Sequence, residues 1–269
     1  NESLHEPMYI FISALCTNGF YGSTSFFPGL LVNLFSKTNL ISYTACMIQI
    51  FCMYSYVLNE MTTLTVMAYD RYLCICNPLR YFTIMTSTKA FKWVAAAWVD
   101  SFIMIIVHVM LTVRLPLCDN VVLKIYCDNW SVVRLSCIDT TINNVYGFFI
   151  AIENLLVKPS LIMLSYIEIL KVCIRSKEAR TKAMQTCASQ LISTFIFATN
   201  CLFEILMYRF GPTEVPYAIR VASSVQFLVV APLMNPLLYG IKMSAIKLKI
   251  VHLFSLKNSE LITKTDTYE

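Results

Sequence analysis

Long apolar runs, following one another along the chain, constrain this sequence more than any other feature. A helix that crosses a membrane needs about 20 mostly apolar residues, because each residue rises about 1.5 Å and the hydrocarbon layer is about 30 Å thick. Six segments meet that requirement: residues 7–31, 43–75, 91–113, 144–170, 183–208 and 216–241. The first is the weakest, its run broken by Thr17, Asn18, Gly19 and Ser23. A further stretch, residues 243–256, sets Lys247 and Lys249 beside Ile246, Ile250, Val251, Leu253 and Phe254, the pattern of a short amphipathic helix lying on a membrane surface. With 57% hydrophobic and 14% charged residues and a mean hydropathy of +0.63, a chain of 269 residues lacks the polar skin that a soluble globule of this size requires. A soluble enzyme is disfavoured on that ground. The 6 glycines and 9 prolines give no basis for disorder, a collagen-like repeat or a glycine-rich nucleotide loop. The expected fold is all-α and membrane-embedded, a single domain over residues 1–269.

Basic residues set the orientation, since lysine and arginine are retained in cytoplasmic loops. Most of the 21 fall in three regions. Arg71, Arg80, Lys89 and Lys92 flank the second connection; Lys171, Arg175, Lys177, Arg180 and Lys182 flank the fourth; Lys242, Lys247, Lys249, Lys257 and Lys264 lie in the tail. Those regions face the cytosol, which with six spans places both termini inside. The chain opens on Asn1-Glu2-Ser3-Leu4-His5 almost directly at a span, with no signal peptide before it. Either the six spans are whole, or a first helix is missing from the sequence. Of the 11 cysteines, Cys118, Cys127 and Cys137 lie in the loop 114–143 that the charges place outside, and Cys46 lies at the outer end of the second span. These four can form two bridges in an oxidising compartment. The others read as small apolar packing residues, and neither the cysteines nor the three scattered histidines have metal-binding spacing. No cofactor is expected.

Charges inside spans are expensive and therefore candidates for function: Glu60, Asp100, Glu153, Lys158 and Glu204. Glu60 stands 11 residues before Arg71, about three helical turns, so the two share a bundle-facing side, and Glu60 is a candidate ion or proton site. Asp100, near Trp98, reads either as a switching group or as a protonated acid bonded to a neighbouring helix. Glu153 and Lys158 read as structural, and Glu204 faces either water or a ligand cavity. At the inner boundary Asp70 and Arg71 are adjacent within Met67-Ala68-Tyr69-Asp70-Arg71-Tyr72. A carboxylate beside a guanidinium can hold it in one state and release it in another. A boundary arginine that merely snorkels needs none of that surrounding sequence.

Tyr69-Asp70-Arg71-Tyr72, followed in the last span by Asn235-Pro236-Leu237-Leu238-Tyr239, resembles the rhodopsin-type G-protein-coupled receptors. More narrowly, the chain resembles the olfactory (odorant) receptors on four stretches: Leu4-His5-Glu6-Pro7-Met8-Tyr9, residues 67–81 (MAYDRYLCICNPLRY), Lys182-Ala183-Met184-Gln185-Thr186-Cys187, and residues 232–240 (PLMNPLLYG). The three-cysteine outer loop and Ser165-Tyr166 fit as well, and Leu4 to Ile12 followed by Tyr43-Thr44-Ala45-Cys46 looks most like the fish branch.

The resemblance implies a seven-helix bundle with its N-terminus outside, of which six spans are present here and the first is absent. It implies a receptor and no covalent chemistry. A small organic ligand would bind in the outer half of the bundle, and a heterotrimeric G protein of the stimulatory, olfactory type would couple at the cytosolic face. The plasma membrane of olfactory sensory neurons would be its place, and no nucleic acid would be a partner. By position, the ligand would meet Met53, Tyr54, Val57 and Leu58 on one helix, Ile150 and Asn154 on the next, Cys201, Leu202 and Ile205 on the family's sixth, and Val225 and Leu228 on the last. The spacing of three or four puts each set on one face, which ordinary interhelical packing would also explain. Such an apolar lining suits volatile or weakly polar ligands, with Asn154 or Tyr54 giving direction through a hydrogen bond. The family pattern implies bridges Cys46 to Cys127 and Cys118 to Cys137. It implies a lock of Asp70, Arg71 and Tyr72, toward which Tyr166 and Tyr239 would swing on activation. Asn235 and Pro236 would form a hinge, since proline removes a helical hydrogen bond, and Lys182 would help meet the G protein.

Departures from the family pattern carry expectations of their own. Gly19 stands where most rhodopsin-type receptors have aspartate while Glu60 remains, which puts a sodium site using two acids in doubt. Gln190 stands where the olfactory family has histidine after the Thr-Cys-x-Ser run, and Ala198 follows Phe197 where tyrosine is common; altered basal activity or ligand range is expected from both. Asn129-Trp130-Ser131 is a glycosylation sequon cramped by Cys127. Two other readings compete. A rhodopsin-type receptor for a peptide or amine hormone would, in the amine case, place an acid where Met53 stands. A six-span transporter or channel would show internal repeats, broken helices or a pore loop, and none is evident.

Overall fold

The computed structural model of the chain describes residues 7–35, 40–122, 124–175 and 177–210, with short pieces between 216 and 233. Over these the order is α1 (Pro7–Phe35), α2 (Tyr43–Cys76), α3 (Pro78–Ile84), α4 (Ser87–Val113), α5 (Asn129–Val133), α6 (Thr141–Ile152), a π-helical turn (Glu153–Val157), α7 (Lys158–Arg175) and α8 (Lys177–Phe210). An isolated bridge between Leu117 and Ser136 is the only strand-like pairing among the described residues. The molecule is an all-α membrane bundle. Among the described residues, Ser87–Val113, Thr141–Ile174 and Cys187–Met207 are long and apolar enough to cross a bilayer. Helices α1 and α2 are longer than the bilayer needs, at 29 and 34 residues, but carry more polar groups. Most of the stretch 216–241 and all of 243–256 lie outside the described residues.

Local sequence explains where these helices begin. Ser42 Oγ accepts from the Ala45 amide at 3.2 Å and Thr86 Oγ1 accepts from the Lys89 amide at 3.3 Å, capping α2 and α4. Pro78 occupies the first turn of α3, where its missing N–H costs nothing. Polar residues 17–19 and 23 do not interrupt α1, because Ser13, Thr17, Thr24 and Ser25 return their hydroxyls to carbonyls three or four residues back.

Helix α2 is the axis. It touches α1, α3, α4, α7 and α8, and it buries residues around its circumference, Tyr56, Leu58, Glu60, Met61, Leu64 and Met67 among them. Helix α4 has the opposite character. Ala90, Ala97, Ser101, Ile105, His108 and Thr112 face inward at helical spacing, while Ile103, Ile106, Val107 and Met110 are exposed. A mostly small or polar inward face and large apolar residues outside reverse the pattern of a soluble helix and suit a lipid surround. Asp100 lies on the exposed side of this helix.

The fourth expected span is longer than read, residues 141–175, and it contains the π-turn. Pro159 accounts for that turn. It cannot donate to the carbonyl four residues back and its ring crowds that carbonyl, so the helix widens immediately before it. The wider turn stacks residues five apart. The Lys158 amide donates to the Glu153 carbonyl, and above it Lys158 Nζ lies 3.4 Å from Glu153 Oε1 and donates to Asn154 Oδ1 at 3.0 Å. Glu153 and Lys158 thus pair across a bulge that an ordinary α-turn would not provide.

Candidate functional site

A cavity of about 220 Å³ lies at the outer end of the bundle, walled by α2, α4, α6, the π-turn, α8 and the loop between α4 and α6. Met53, Tyr54, Val57, Leu58, Ile150, Asn154, Cys201 and Ile205 are on its wall, as their helical spacing places them on inward faces. Leu202 is not. It is 46% exposed, one step around α8 from the Cys201–Ile205 face. Val225 is half-buried but lies outside this wall, and the Leu228 side chain falls outside the described residues. Asn154, expected as a polar anchor, is already engaged: its Nδ2 donates to the Ile150 carbonyl at 2.9 Å and its Oδ1 accepts from Lys158.

The outer loop closes the cavity because it is fastened at several points. Cys46 is bonded to Cys127 and Cys118 to Cys137, each pair with Cα atoms 5.4 Å apart. The Cys127 amide donates to Gln49 Oε1 at 2.9 Å, and Thr112 Oγ1 donates to Asn129 Oδ1 at 2.7 Å. Asn129 is therefore buried against α4, and the sequon asparagine faces the interior, with no room there for a glycan.

Charge enters the cavity from that loop and from α8. Lys124 Nζ lies 3.7 Å from Asp128 Oδ2 and 3.9 Å from Glu204 Oε1. Tyr126 donates to Glu204 Oε1 at 2.9 Å and accepts from Lys124 at 3.2 Å. Burial, then the Glu204 and Asp128 charges, hold the Tyr126 phenol well above its usual range, so it remains a donor. Ser224 and Ser223 donate to Glu204 at 2.9 and 3.4 Å, tying α8 to the next segment. Of these groups the sequence reading raised only Glu204. His108, Lys124, Tyr126, Asp128 and Trp130 also line the cavity. The available signal was Cys127: a residue beside a half-cystine tethered to the outer end of α2 has to lie over the bundle's mouth.

Deeper on α2, Asn18 Nδ2 donates to Glu60 Oε2 at 2.7 Å and to the Tyr56 carbonyl at 3.0 Å, while Asn59 Nδ2 donates to Asn18 Oδ1 at 3.0 Å. The residue that meets Glu60 is thus Asn18, next to Gly19. Gly19 itself faces Pro232, whose Cα lies 3.4 Å from where a Cβ would be. Among the described residues no group of three or more histidine, cysteine or acidic side chains could hold a metal ion.

At the inner end, Arg71 is partly buried and paired with Asp70, its Nε donating to Asp70 Oδ2 at 3.1 Å in addition to the Nη2 contact. Tyr81 on α3 donates to Asp70 Oδ1 at 2.9 Å, a partner the sequence reading did not name although it ends the quoted stretch 67–81. Tyr72 stacks on Tyr69 with centroids 6.3 Å apart, and Tyr166 is buried in the core that surrounds α2. Asn235, Pro236, Tyr239 and the Lys182 side chain lie outside the described residues. From Met61, the innermost α2 residue on the cavity wall, ten residues at about 1.5 Å each give about 15 Å to Arg71.

Comparison with known proteins matches this arrangement to one family. The family-wide sequence model described as olfactory receptor covers residues 1–257. The chain is 37% identical to human olfactory receptor 52B6 over 242 residues, covering 89% of this chain and 72% of that protein. It is 37% identical to human olfactory receptor 52Z1P over 257 residues, 94% of this chain and 85% of the relative. Mouse olfactory receptor 8U3 is 34% identical over 250 residues, 92% and 77% of the two chains.

Proposed function

The chain belongs to the olfactory receptor family, a family of multi-pass membrane receptors and not of enzymes, and from that membership we propose that it binds small organic odorants in the outer cavity and activates a heterotrimeric G protein. The observation that carries this reading is the geometry of α2. It walls the cavity with Met53, Tyr54, Val57, Leu58 and Met61, and about 15 Å further in it bears Asp70 and Arg71. Occupancy at one end and the ion pair at the other thus act on one rigid element. A ligand shifts the balance between two helix arrangements by no more than its difference in affinity for them. The arrangement with Arg71 held on Asp70, whose other oxygen accepts from Tyr81, is the resting one, and release of Arg71 toward Tyr166 and Tyr239 opens the cytosolic face. Asn235 and Pro236 supply the hinge, Lys182 and its basic neighbours meet the G protein, and Glu60 sits between cavity and lock as an ion or proton site.

The partner in this reading is the stimulatory G protein of olfactory sensory neurons, and the site of action is their plasma membrane. The six spans read from the sequence, with basic connections inside, place the bridged loop outside. The test is a cAMP reporter in cells that express the chain at their surface, challenged with a panel of odorants. Dose-dependent cAMP is expected. Ligand-independent ion or solute flux, with cAMP flat across the panel, would point instead to a transporter.

A further inference from the structure

Among the described residues, the outer end of the cavity holds more buried negative charge than positive. One ammonium, Lys124, lies between the carboxylates of Asp128 and Glu204, and all three side chains are less than a tenth exposed. The two acids are not equivalent. Glu204 is surrounded by the hydroxyls of Tyr126, Ser223 and Ser224. Asp128 Oδ1 is buried on the cavity wall and meets no hydrogen-bond partner among the described residues. Asp128 immediately precedes α5, where an aspartate ordinarily accepts from the first amides of the helix, yet its side chain makes no such bond. Its neighbours hold it there: Cys127 by the bridge to Cys46 and by Gln49, Asn129 by Thr112. A buried carboxylate oxygen without a donor costs free energy that a suitably placed donor recovers. The nearby wall includes the rings of Tyr54, Tyr126 and Trp130, whose faces attract cations.

We propose, building on the odorant-receptor reading, that this cavity takes a small organic amine, its ammonium donating to Asp128 Oδ1 beside Glu204 and its apolar body lying against Met53, Val57, Leu58 and Ile150. The charge balance selects this class. Among the described residues one lysine and two carboxylates leave a net charge of one negative; an ammonium neutralises it, whereas a carboxylate ligand doubles it at a buried site. A neutral alcohol can donate to Asp128 but leaves the imbalance in place. The acid that aminergic recognition would need, absent at Met53, is supplied instead from the outer loop.

The experiment uses the full chain in lipid nanodiscs and three probes with one skeleton: cyclohexylmethylamine, cyclohexylmethanol and cyclohexanecarboxylic acid. Binding is read from ligand-induced thermal stabilisation. The amine is expected to bind at least tenfold more tightly than the alcohol, with the acid weakest. Asp128→Asn should cost the amine at least tenfold and the alcohol much less, because the carboxamide oxygen still accepts from a hydroxyl, and its ligand-free melt shows whether the variant is folded. Lys124→Gln should strengthen amine binding, an opposite sign that does not depend on Asp128→Asn folding. Absent amine binding, equal affinity for amine and alcohol, preference for the acid, or an amine affinity indifferent to both substitutions would overturn the proposal. The cAMP reporter separates it from the broader reading: amine binding without signalling would sink the receptor account alone, and signalling to the alcohol or acid but not the amine would sink the amine site alone.

Discussion

Removing the Tyr81 hydroxyl should raise signalling in the absence of any ligand. Tyr81 is 6% exposed and donates to Asp70 Oδ1 at 2.9 Å, while the other oxygen of that carboxylate holds Arg71. Burial and the adjacent Asp70 charge keep the phenol above its usual range, so it donates at every physiological pH. A hydrogen bond to a charged group contributes about 1.5–3 kcal/mol. This one ties α3 to the inner end of α2 in the arrangement where Arg71 lies on Asp70. If about 2 kcal/mol of it belongs to the resting arrangement alone, its loss multiplies the active-to-resting ratio by about 30, and a receptor that is about 1% active at rest becomes roughly a quarter active. The assay is basal cAMP for Tyr81→Phe, normalised to surface protein and set against Leu79→Ala, which alters a 97% exposed neighbour on the same helix. Equal basal signals from the two variants at equal surface levels would refute the reasoning.

Three further outcomes are expected. Gly22→Ala should destabilise by about 1–3 kcal/mol, because its Cβ would lie 2.6 Å from the ring of fully buried Tyr56; in a thermal melt it should fall below Gly29→Ala, whose nearest neighbour is 3.5 Å away, and matching melts would count against it. The two bridges should contribute similarly. Loop entropy over the full separations of 81 and 19 residues gives about 4.5 and 3.2 kcal/mol, but α2 to α4 stay helical in lipid, and the free length before Cys127 shrinks to residues 114–126, worth about 3 kcal/mol. A Cys46→Ser variant that melts more than about 1 kcal/mol below Cys118→Ser would contradict this. Asp139 accepts from the Thr141 hydroxyl and amide, which holds its carboxyl below the ordinary aspartate range. The depressed folded value means a stabilisation of the start of α6 that is present above the ordinary aspartate range and lost as pH falls through the lowered value, so protection of amides 141–144, taken relative to intrinsic exchange at each pH, should fall on acidification in wild type and hardly change in Asp139→Ala.

What could be read from sequence was whatever periodicity and composition encode. The apolar runs overlap the described helices, residues 43–75 against Tyr43–Cys76 and 183–208 against Lys177–Phe210 for example, and Met53, Val57, Leu58, Ile150, Cys201 and Ile205, read at a spacing of three or four, lie on inward faces. Leu202 escaped because apolarity does not distinguish a lipid-facing side chain from a cavity-facing one in a membrane helix. The charged end of the cavity was hidden for a different reason. Lys124, Tyr126 and Asp128 have no helical period to report a direction, and Lys124 and Tyr126 meet Glu204, nearly eighty positions later, only after a bridge has drawn the loop across the bundle. The π-turn left a local trace in Pro159, but the pairing of Glu153 with Lys158 needs the five-residue register that the turn creates.

Hydrogen bonding within the bundle indicates where movement can occur. Asn18 ties α1 to α2 through Glu60, Tyr56 and Asn59 at 2.7 to 3.0 Å, so sliding one helix past the other by a turn would break every one of those contacts in a medium without water to replace them. In the proposed mechanism that pair is the fixed frame against which the other helices would move. A polar tie from α8 to α2 is Gln190 Nε2, which donates to the Leu64 carbonyl at 2.7 Å from a side chain that is 1% exposed. Gln190→Leu removes the donor without stranding a charged partner, so it should weaken the resting arrangement by the net worth of one neutral bond, about 1 kcal/mol. Basal cAMP should then rise about fivefold, and the agonist concentration for half response should fall, because a larger fraction of receptor is already competent to bind. A variant with lower basal activity that needs more agonist would mean that the Gln190 bond belongs to the active arrangement, and the fixed frame would have to be sought between α2 and α8 instead.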